Sequence, residues 1–183
     1  MTGDCDFDMN CCVTDDNCKT NDSDPMKPML RSNFCLACNR QVRPVSRKTV
    51  LLMLKPELLE QAMSVSYLFC STSDCPVVYF DDEGRQQFTV DNLRVRVGLK
   101  VKRDPIPLCY CFGFDEAHIR EEISVTGHTS IPERISKLIR EGLCACDTRN
   151  PAGVCCLGEV NNAVKRLRLY QMNSEEVVDG EKV

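Results

Sequence analysis

The chain has 183 residues, 43% apolar and 27% charged, an ordinary globular balance that suits one domain or two small ones. Its net charge of −4 is unevenly spread, with seven Asp and one Lys in residues 1–24, so no broad basic field invites nucleic acid. No apolar run approaches the roughly 18 residues that a membrane span needs. The outlier is cysteine, 14 of them, in a chain with no Trp. The first residues, Thr2, Gly3, Asp4 and Cys5, lack the basic and apolar regions of an export signal. The expected compartment is therefore a reducing cytoplasm, where dense cysteine reads as metal binding. A disulfide-stapled extracellular protein has the right cysteine parity but no such signal.

Residues 1–31 are acidic, nearly free of periodicity, and expected to form a disordered tail that is dispensable for folding. Cys5, Met9, Cys11, Cys12 and Cys18 in it are soft ligands suited to Cu(I), or parts of a plain solvated extension. Folded structure is expected from about Phe34. Thr49–Leu54 is a short apolar run, and Lys55-Pro56-Glu57 starts a helix with Pro in its first turn. Val65–Cys70 and Val77–Phe80 are β-rich, and Asp81–Gly84 reads as a turn. From Leu93 to Val101 apolar and polar residues alternate, which predicts a half-buried strand with Arg94, Arg96 and Lys100 on a solvated face.

Asp104–Pro107 reads as a stiff linker. Beyond it, Asp115 caps a helix carrying Ile119 and Ile123, and Ser130-Ile131-Pro132-Glu133 reads as a capping box. The helix that box opens carries Ile135, Leu138 and Ile139 and stops at Gly142. A last helix presents Val160, Ala163, Val164, Leu167 and Tyr170 on one face. The fold class is α+β: a small mixed unit over 32–104, a helical unit over 105–171, and a polar tail over 172–183 expected to fray.

The ten cysteines beyond the tail form two sets. Cys35-x₂-Cys38 and Cys70-x₄-Cys75 are two close pairs, which suit a tetrahedral zinc site. Closing the loop between the pairs costs a few kcal/mol against roughly 10–16 kcal/mol from zinc. The second set is Cys109-x-Cys111, Cys144-x-Cys146 and the adjacent Cys155 and Cys156. Its spacing is wrong for a zinc knuckle and suits an iron–sulfur centre where loops meet helix N-termini, whose N–H groups and dipoles stabilise thiolates. Six candidates compete there for four ligand positions.

The segments YLFCSTSDCPVVYF (67–80), RVRVGLK (94–100), CYCFGF (109–114) and NPAGVCCLGEV (150–160) resemble, in order, the N-terminal domain of the CopZ family of archaeal copper chaperones. The second half alone looks like the wider family of bacterioferritin-associated ferredoxin (BFD). The resemblance spans roughly Phe34–Leu169. It implies a zinc ion on Cys35, Cys38, Cys70 and Cys75, and a [2Fe–2S] cluster whose ligands include Cys109 and Cys111. In that family the third cluster ligand stands four residues before an Asn–Pro dipeptide, here Asn150-Pro151, which selects Cys146 over Cys144. For the fourth, Cys156 is favoured over Cys155 because it lies nearer the last helix. The family's copper-carrying domain has an M-x-C-x-x-C loop, and no such motif occurs in these 183 residues.

Catalytic constellations are absent from the sequence: His118 and His128 are the only histidines, and neither a Ser–His–Asp pattern nor a phosphate loop can be assembled. His118 is expected to be an exposed helix residue, with tuning of the cluster as the alternative, and Tyr110 and Phe112 are expected to shield the cluster. The resulting expectation is an electron-transfer protein rather than a substrate-specific enzyme. It carries one electron, and the resemblance places it in the reduction of Cu(II) to Cu(I) beside a copper chaperone, a copper-transporting ATPase or another redox protein. The alternative is a non-redox metal-stabilised binding or sensor module, docking a partner on the basic 94–102 face.

Overall fold

The computed structural model describes residues 34–179, with side chains through Gln171. The acidic segment and its cysteines lie outside the described residues. Strand β1 is Arg43–Val45, helix α1 is Arg47–Met53, and strands β2, β3 and β4 are Tyr67–Phe69, Val77–Asp81 and Gln87–Thr89. The strands form one antiparallel sheet in the order β1-β2-β3-β4.

The two β-rich segments are apolar throughout because both faces of this sheet are buried. Along β2 the side chains alternate: Tyr67 and Phe69 enter the main core with α1, while Leu68 joins the smaller cluster around the first cysteine set. In β3 a register shift between Val77 and Tyr79 interrupts that alternation. Val78 and Tyr79 therefore belong to the main core, and Val77 and Phe80 to the cysteine side. The turn expected at Asp81–Gly84 closes the β3–β4 hairpin, with the buried Asp81 carboxylate accepting from the Gln86 amide at 2.9 Å.

The apolar run at 49–54 is helical, begun by Ser46, whose Oγ accepts from the Thr49 amide at 3.1 Å. Pro56 opens a 3-10 helix, Pro56–Gln61, in place of an α-helix. The strand expected over 93–101 does not form. Short 3-10 turns at Val90–Asn92 and Gly98–Lys100 bracket an extended stretch whose only ladder partner among the described residues is the Leu54–Leu93 bridge. Leu93 and Val97 are buried as the pattern demands, but the segment packs on the end of α1 instead of joining the sheet.

In the second half, β5 (Pro107–Cys109) and β6 (Phe114–Asp115) make a two-stranded ribbon. It is followed by α2 (Glu116–Thr126), α3 (Ile131–Arg140), the short α4 (Cys146–Arg149) and α5 (Leu157–Asp179). Asp115 caps α2 as expected, accepting from the His118 amide at 3.1 Å. The capping box at Ser130 does not form. Ser130 sits in helical backbone, and Thr129 Oγ1 accepts from the Ile131 amide at 3.2 Å in its stead. The Ser130 amide is taken by Glu122 Oε2 at 2.8 Å. Along α5 the buried stripe is Val160, Ala163 and Val164, with Leu167 partly buried; Tyr170 is 75% exposed and lies off it. The helix continues to Asp179, through much of the segment expected to fray.

The two halves are stitched together. Ala152 contributes to the main core of the first half. Buried Tyr79 donates its hydroxyl to the Pro151 carbonyl at 2.7 Å, and buried Thr49 donates to the Asp147 carbonyl at 2.5 Å.

Candidate metal centres

The first cysteine set converges from three places. Cys35 and Cys38 lie on a tight knuckle in which the Cys35 carbonyl accepts from the Asn39 amide and the Cys35 amide donates to the Arg40 carbonyl, both at 2.8 Å. Asn39 closes the knuckle at φ 52°, a left-handed conformation that Asn tolerates better than most residues. Cys70 directly follows β2, and Cys75 stands just before β3.

The four sulfurs all lie within 4.8 Å of one another. Cys35 and Cys75 are separated by 3.9 Å, and Cys38 and Cys70 by 3.7 Å. A tetrahedral ion with metal–sulfur bonds of about 2.3 Å requires S···S edges of about 3.8 Å. The donor set therefore fits zinc in both chemistry and spacing. Burial opposes ionisation of Cys38, but the Thr72 hydroxyl, the Arg40 amide and the neighbouring thiols outweigh it and bring its pKa down to about 6. Burial pushes Cys75 up to about 12 and also raises Cys35. One thiolate thus stands ready beside thiols that give up their protons to a metal.

The second set is built differently. Cys109 ends β5, and Cys111 sits in the turn to β6, which Gly113 closes at φ 73° with its amide donating to the Cys109 carbonyl at 2.9 Å. Cys146 is the first residue of α4, and Cys156 directly precedes α5. Cys109, Cys146 and Cys156 are buried in the helical core, with Cys111 and Cys144 packed against it, while Cys155 is exposed. The Cys111 and Cys146 sulfurs are 3.6 Å apart, and the Cys109 and Cys156 thiols are close enough to shift each other's ionisation.

Among the described residues the first quartet is the group gathered within 4.8 Å. The Cys156 thiol, acting against burial and joined by the Phe112 and Cys111 amides, lowers Cys109 to about 6. The Cys109 thiol in turn, with burial, raises Cys156, and burial pushes Cys146 up to about 12. The Ala145 amide donates to the Cys111 sulfur at 3.3 Å.

Lys100, Tyr110 and Gly98 do structural work that the sequence did not announce, and two arginines add to it. Lys100 was expected on a solvated face, yet its Nζ donates to the Thr72 and Cys75 carbonyls at 2.8 and 2.9 Å and ties down the C-x₄-C loop. Arg94 donates to the Leu54 carbonyl at 2.8 Å and Arg96 to the Arg103 carbonyl at 2.7 Å, so both exposed arginines also brace the backbone. Tyr110 is anchored by its hydroxyl, which accepts from the Gly98 amide at 2.8 Å and donates to the Arg96 carbonyl at 3.0 Å. Its neighbour Phe112 does pack against the helical core beside the cysteines. The third is Gly98, where a Cβ would lie 1.8 Å from the Pro107 carbonyl oxygen. His118 is exposed and bonded to the Asp115 carboxylate at 2.7 Å, a helix-cap role.

Known proteins place this architecture. Residues 32–94 match the zf_CopZ family, described as a zinc binding domain. The matched segment, similar to that zinc-binding domain, carries the four convergent cysteines. The curated copper chaperone CopZ of Archaeoglobus fulgidus is 33% identical over 91 residues, which is 49% of this chain and 42% of the chaperone, so the match spans less than half of that relative. The X-ray structure of the N-terminal domain of the same chaperone superposes with a TM-score of 0.59 at 28% identity, covering 70% of this chain and 95% of that domain. No described helix is long and apolar enough to cross a membrane.

Proposed function

We propose that this chain is a zinc-stabilised, cluster-bearing redox accessory in copper handling. Cys35, Cys38, Cys70 and Cys75 hold one zinc ion, which is redox-inert and serves to fold the unit over 32–104. Cys109, Cys111, Cys146 and Cys156 hold a [2Fe–2S] cluster in the BFD-like helical unit over 105–171. The observation that carries this assignment is the gathering of Cys109, Cys146 and Cys156 in one helical core, with the Cys111 sulfur 3.6 Å from that of Cys146.

When bound, that cluster supplies one-electron chemistry, the change needed to take Cu(II) to Cu(I). The protein's own contribution is positional. The Ala145 amide aims at the Cys111 sulfur, and Arg149 donates to the Cys111 carbonyl at 3.4 Å, holding the turn. Hydrogen bonds to ligand sulfur and an apolar surround are the levers by which a protein sets a cluster's potential. Ile119, Ile123, Ile135 and Val160 supply that surround.

The copper context is supported by the name of the Archaeoglobus relative, a copper chaperone. The partners on this reading are a copper chaperone, a copper-transporting ATPase or another redox protein, met in the cytoplasm. The test is metal and sulfide analysis of anaerobically purified protein with its visible spectrum. The expected composition is about one zinc, two iron and two sulfide per chain. The colour should bleach reversibly with a mild reductant and return when Cu(II) is added, with Cu(I) trapped by a chelator. Zinc without iron or sulfide would reduce the protein to a zinc-binding module.

A further inference from the structure

The two cysteine sets are joined by one three-residue turn of 3-10 helix, Gly98–Lys100. At its end the half-buried Lys100 donates from Nζ to the Thr72 and Cys75 carbonyls at 2.8 and 2.9 Å, on the loop that runs from Cys70 to Cys75. Lys102 pairs with Asp74 of the same loop. At the start of the turn the Gly98 amide donates to the Tyr110 hydroxyl at 2.8 Å, and that hydroxyl donates on to the Arg96 carbonyl at 3.0 Å. Tyr110 stands between Cys109 and Cys111.

The turn is short and clamped, so a shift at one end is passed to the other. Its own bonds run from the Lys100 amide to the Val97 carbonyl at 2.8 Å and from the Val101 amide to the Gly98 carbonyl at 3.3 Å. At a rise of about 2 Å per residue it spans roughly 6 Å. Val97 is buried in the main core, and a Cβ on Gly98 would lie 1.8 Å from the Pro107 carbonyl oxygen. Pro107 opens β5, the strand that ends on Cys109. The other bonds between the halves, from Tyr79 to the Pro151 carbonyl and from Thr49 to the Asp147 carbonyl, bypass this turn.

We propose that the Gly98–Lys100 turn couples the two cysteine sets, so that an ion held by the first set fixes the Cys109–Cys111 loop through Lys100, Gly98 and Tyr110. The inference rests on the zinc assignment of Cys35, Cys38, Cys70 and Cys75. With the ion bound, the 70–75 loop presents both carbonyls to Lys100. Without it that loop loosens, Lys100 loses its acceptors, and the turn no longer holds the Gly98 amide on Tyr110. Coupling between binding equilibria is reciprocal, so a disturbance at Tyr110 weakens zinc by the same route run in reverse. Lys100, Gly98 and Tyr110 are positioning residues, and none of them is a ligand.

Zinc affinity is measured on the full-length protein by equilibrium competition with a chelator of known affinity. Lys100→Met should weaken zinc about tenfold, the value of hydrogen bonds from a charged group. Tyr110→Phe removes only a hydroxyl on the far side of the turn and should weaken zinc about fivefold, the low end of coupling between sites. Together they should cost little more than Lys100→Met alone, because one break already severs the route. Tyr79→Phe, whose bond bypasses the turn, should add its full effect to that of Lys100→Met. In zinc-loaded Lys100→Met, hydrogen exchange should quicken over 107–114 and stay as in the parent over 131–140. Folding of each variant is checked by circular dichroism. Unchanged zinc affinity in a folded Tyr110→Phe, full multiplication of its effect with that of Lys100→Met, or equal non-additivity for Tyr79→Phe would overturn the coupling and leave the zinc assignment standing. A parent chain that binds no zinc overturns both. Should Tyr110→Phe fail to fold, unchanged exchange over 107–114 in Lys100→Met overturns the coupling equally.

Discussion

The two cysteine sets are both half-hidden in apolar surroundings, but they stand on different supports. Around the first, three of the six buried cluster members are cysteines, with Leu68, Val77 and Phe80 as the remainder. Around the second, three cysteines sit among eleven buried members, most of them aliphatic residues of α2, α3 and α5. Apolar burial contributes about 25 cal/mol per Å², so the helical side has a core of its own while the knuckle side has little beyond its thiols. The difference teaches where a metal is structural. On the knuckle side a bound ion would add the cohesion that three apolar neighbours do not, whereas the helical side is held by its own aliphatic packing.

The most severe way to break that contrast is Cys70→Ser, at a fully buried position. Zinc content should fall from about one per chain to near zero, and the roughly 10–16 kcal/mol that zinc brings to folding goes with it. Residues 34–104 should lose amide protection in hydrogen exchange, while iron is partly retained. Complete loss of iron in the same variant would mean that the helical core leans on the sheet, through Tyr79 and Ala152, more than its own packing implies.

On the other side, Cys146→Ser should abolish iron and visible absorption, and Cys144→Ser should leave both intact, because Cys146 is buried within reach of Cys111. A colourless Cys144 variant alongside a coloured Cys146 variant would show that the other member of the C-x-C pair is the ligand.

Next in size is Gly98→Ala, where the Cβ would sit 1.8 Å from the Pro107 oxygen and force two backbone segments apart. The expected loss is about 3 kcal/mol in urea unfolding, typical of overpacking against rigid backbone. A milder change is Lys100→Met, which removes two hydrogen bonds to the C-x₄-C loop. Zinc release to a competing chelator should quicken about tenfold, as a loss of roughly 1.5 kcal/mol implies, with the visible spectrum unchanged. The smallest expected effect is that of Tyr79→Phe. It deletes one buried hydrogen bond to Pro151 across the two halves and should cost about 1–2 kcal/mol, since the carbonyl is left without its donor. A loss below a few tenths would place the coupling between halves in apolar contact instead.

Much of this protein was readable from residue order alone, where the deciding forces are local. The C-x₂-C knuckle, the Asp115 cap, the turn at Asp81–Gly84 and the stop at Gly142 each depend on a few consecutive residues, and they lie where their chemistry puts them. The pairing of Cys35–Cys38 with Cys70–Cys75 was legible as well, since four thiols at those spacings have few other uses. What failed were inferences from pattern to partner. The alternation over 93–101 correctly buries Leu93 and Val97, yet period two says nothing about which backbone a segment bonds to, and here it lies on α1. For the same reason Lys100 read as solvated charge, although it holds a loop 28 residues away, and the bond from the Tyr110 hydroxyl to the Gly98 amide was not foreseen. Ser130 lost its cap to Thr129 because Glu122, eight residues back, had claimed its amide. Composition and spacing determined which atoms are available to a metal. Tertiary packing alone decided that four of them form one quartet and that Cys111 meets Cys146, because S···S distances between distant segments follow from how the sheet and helices stack.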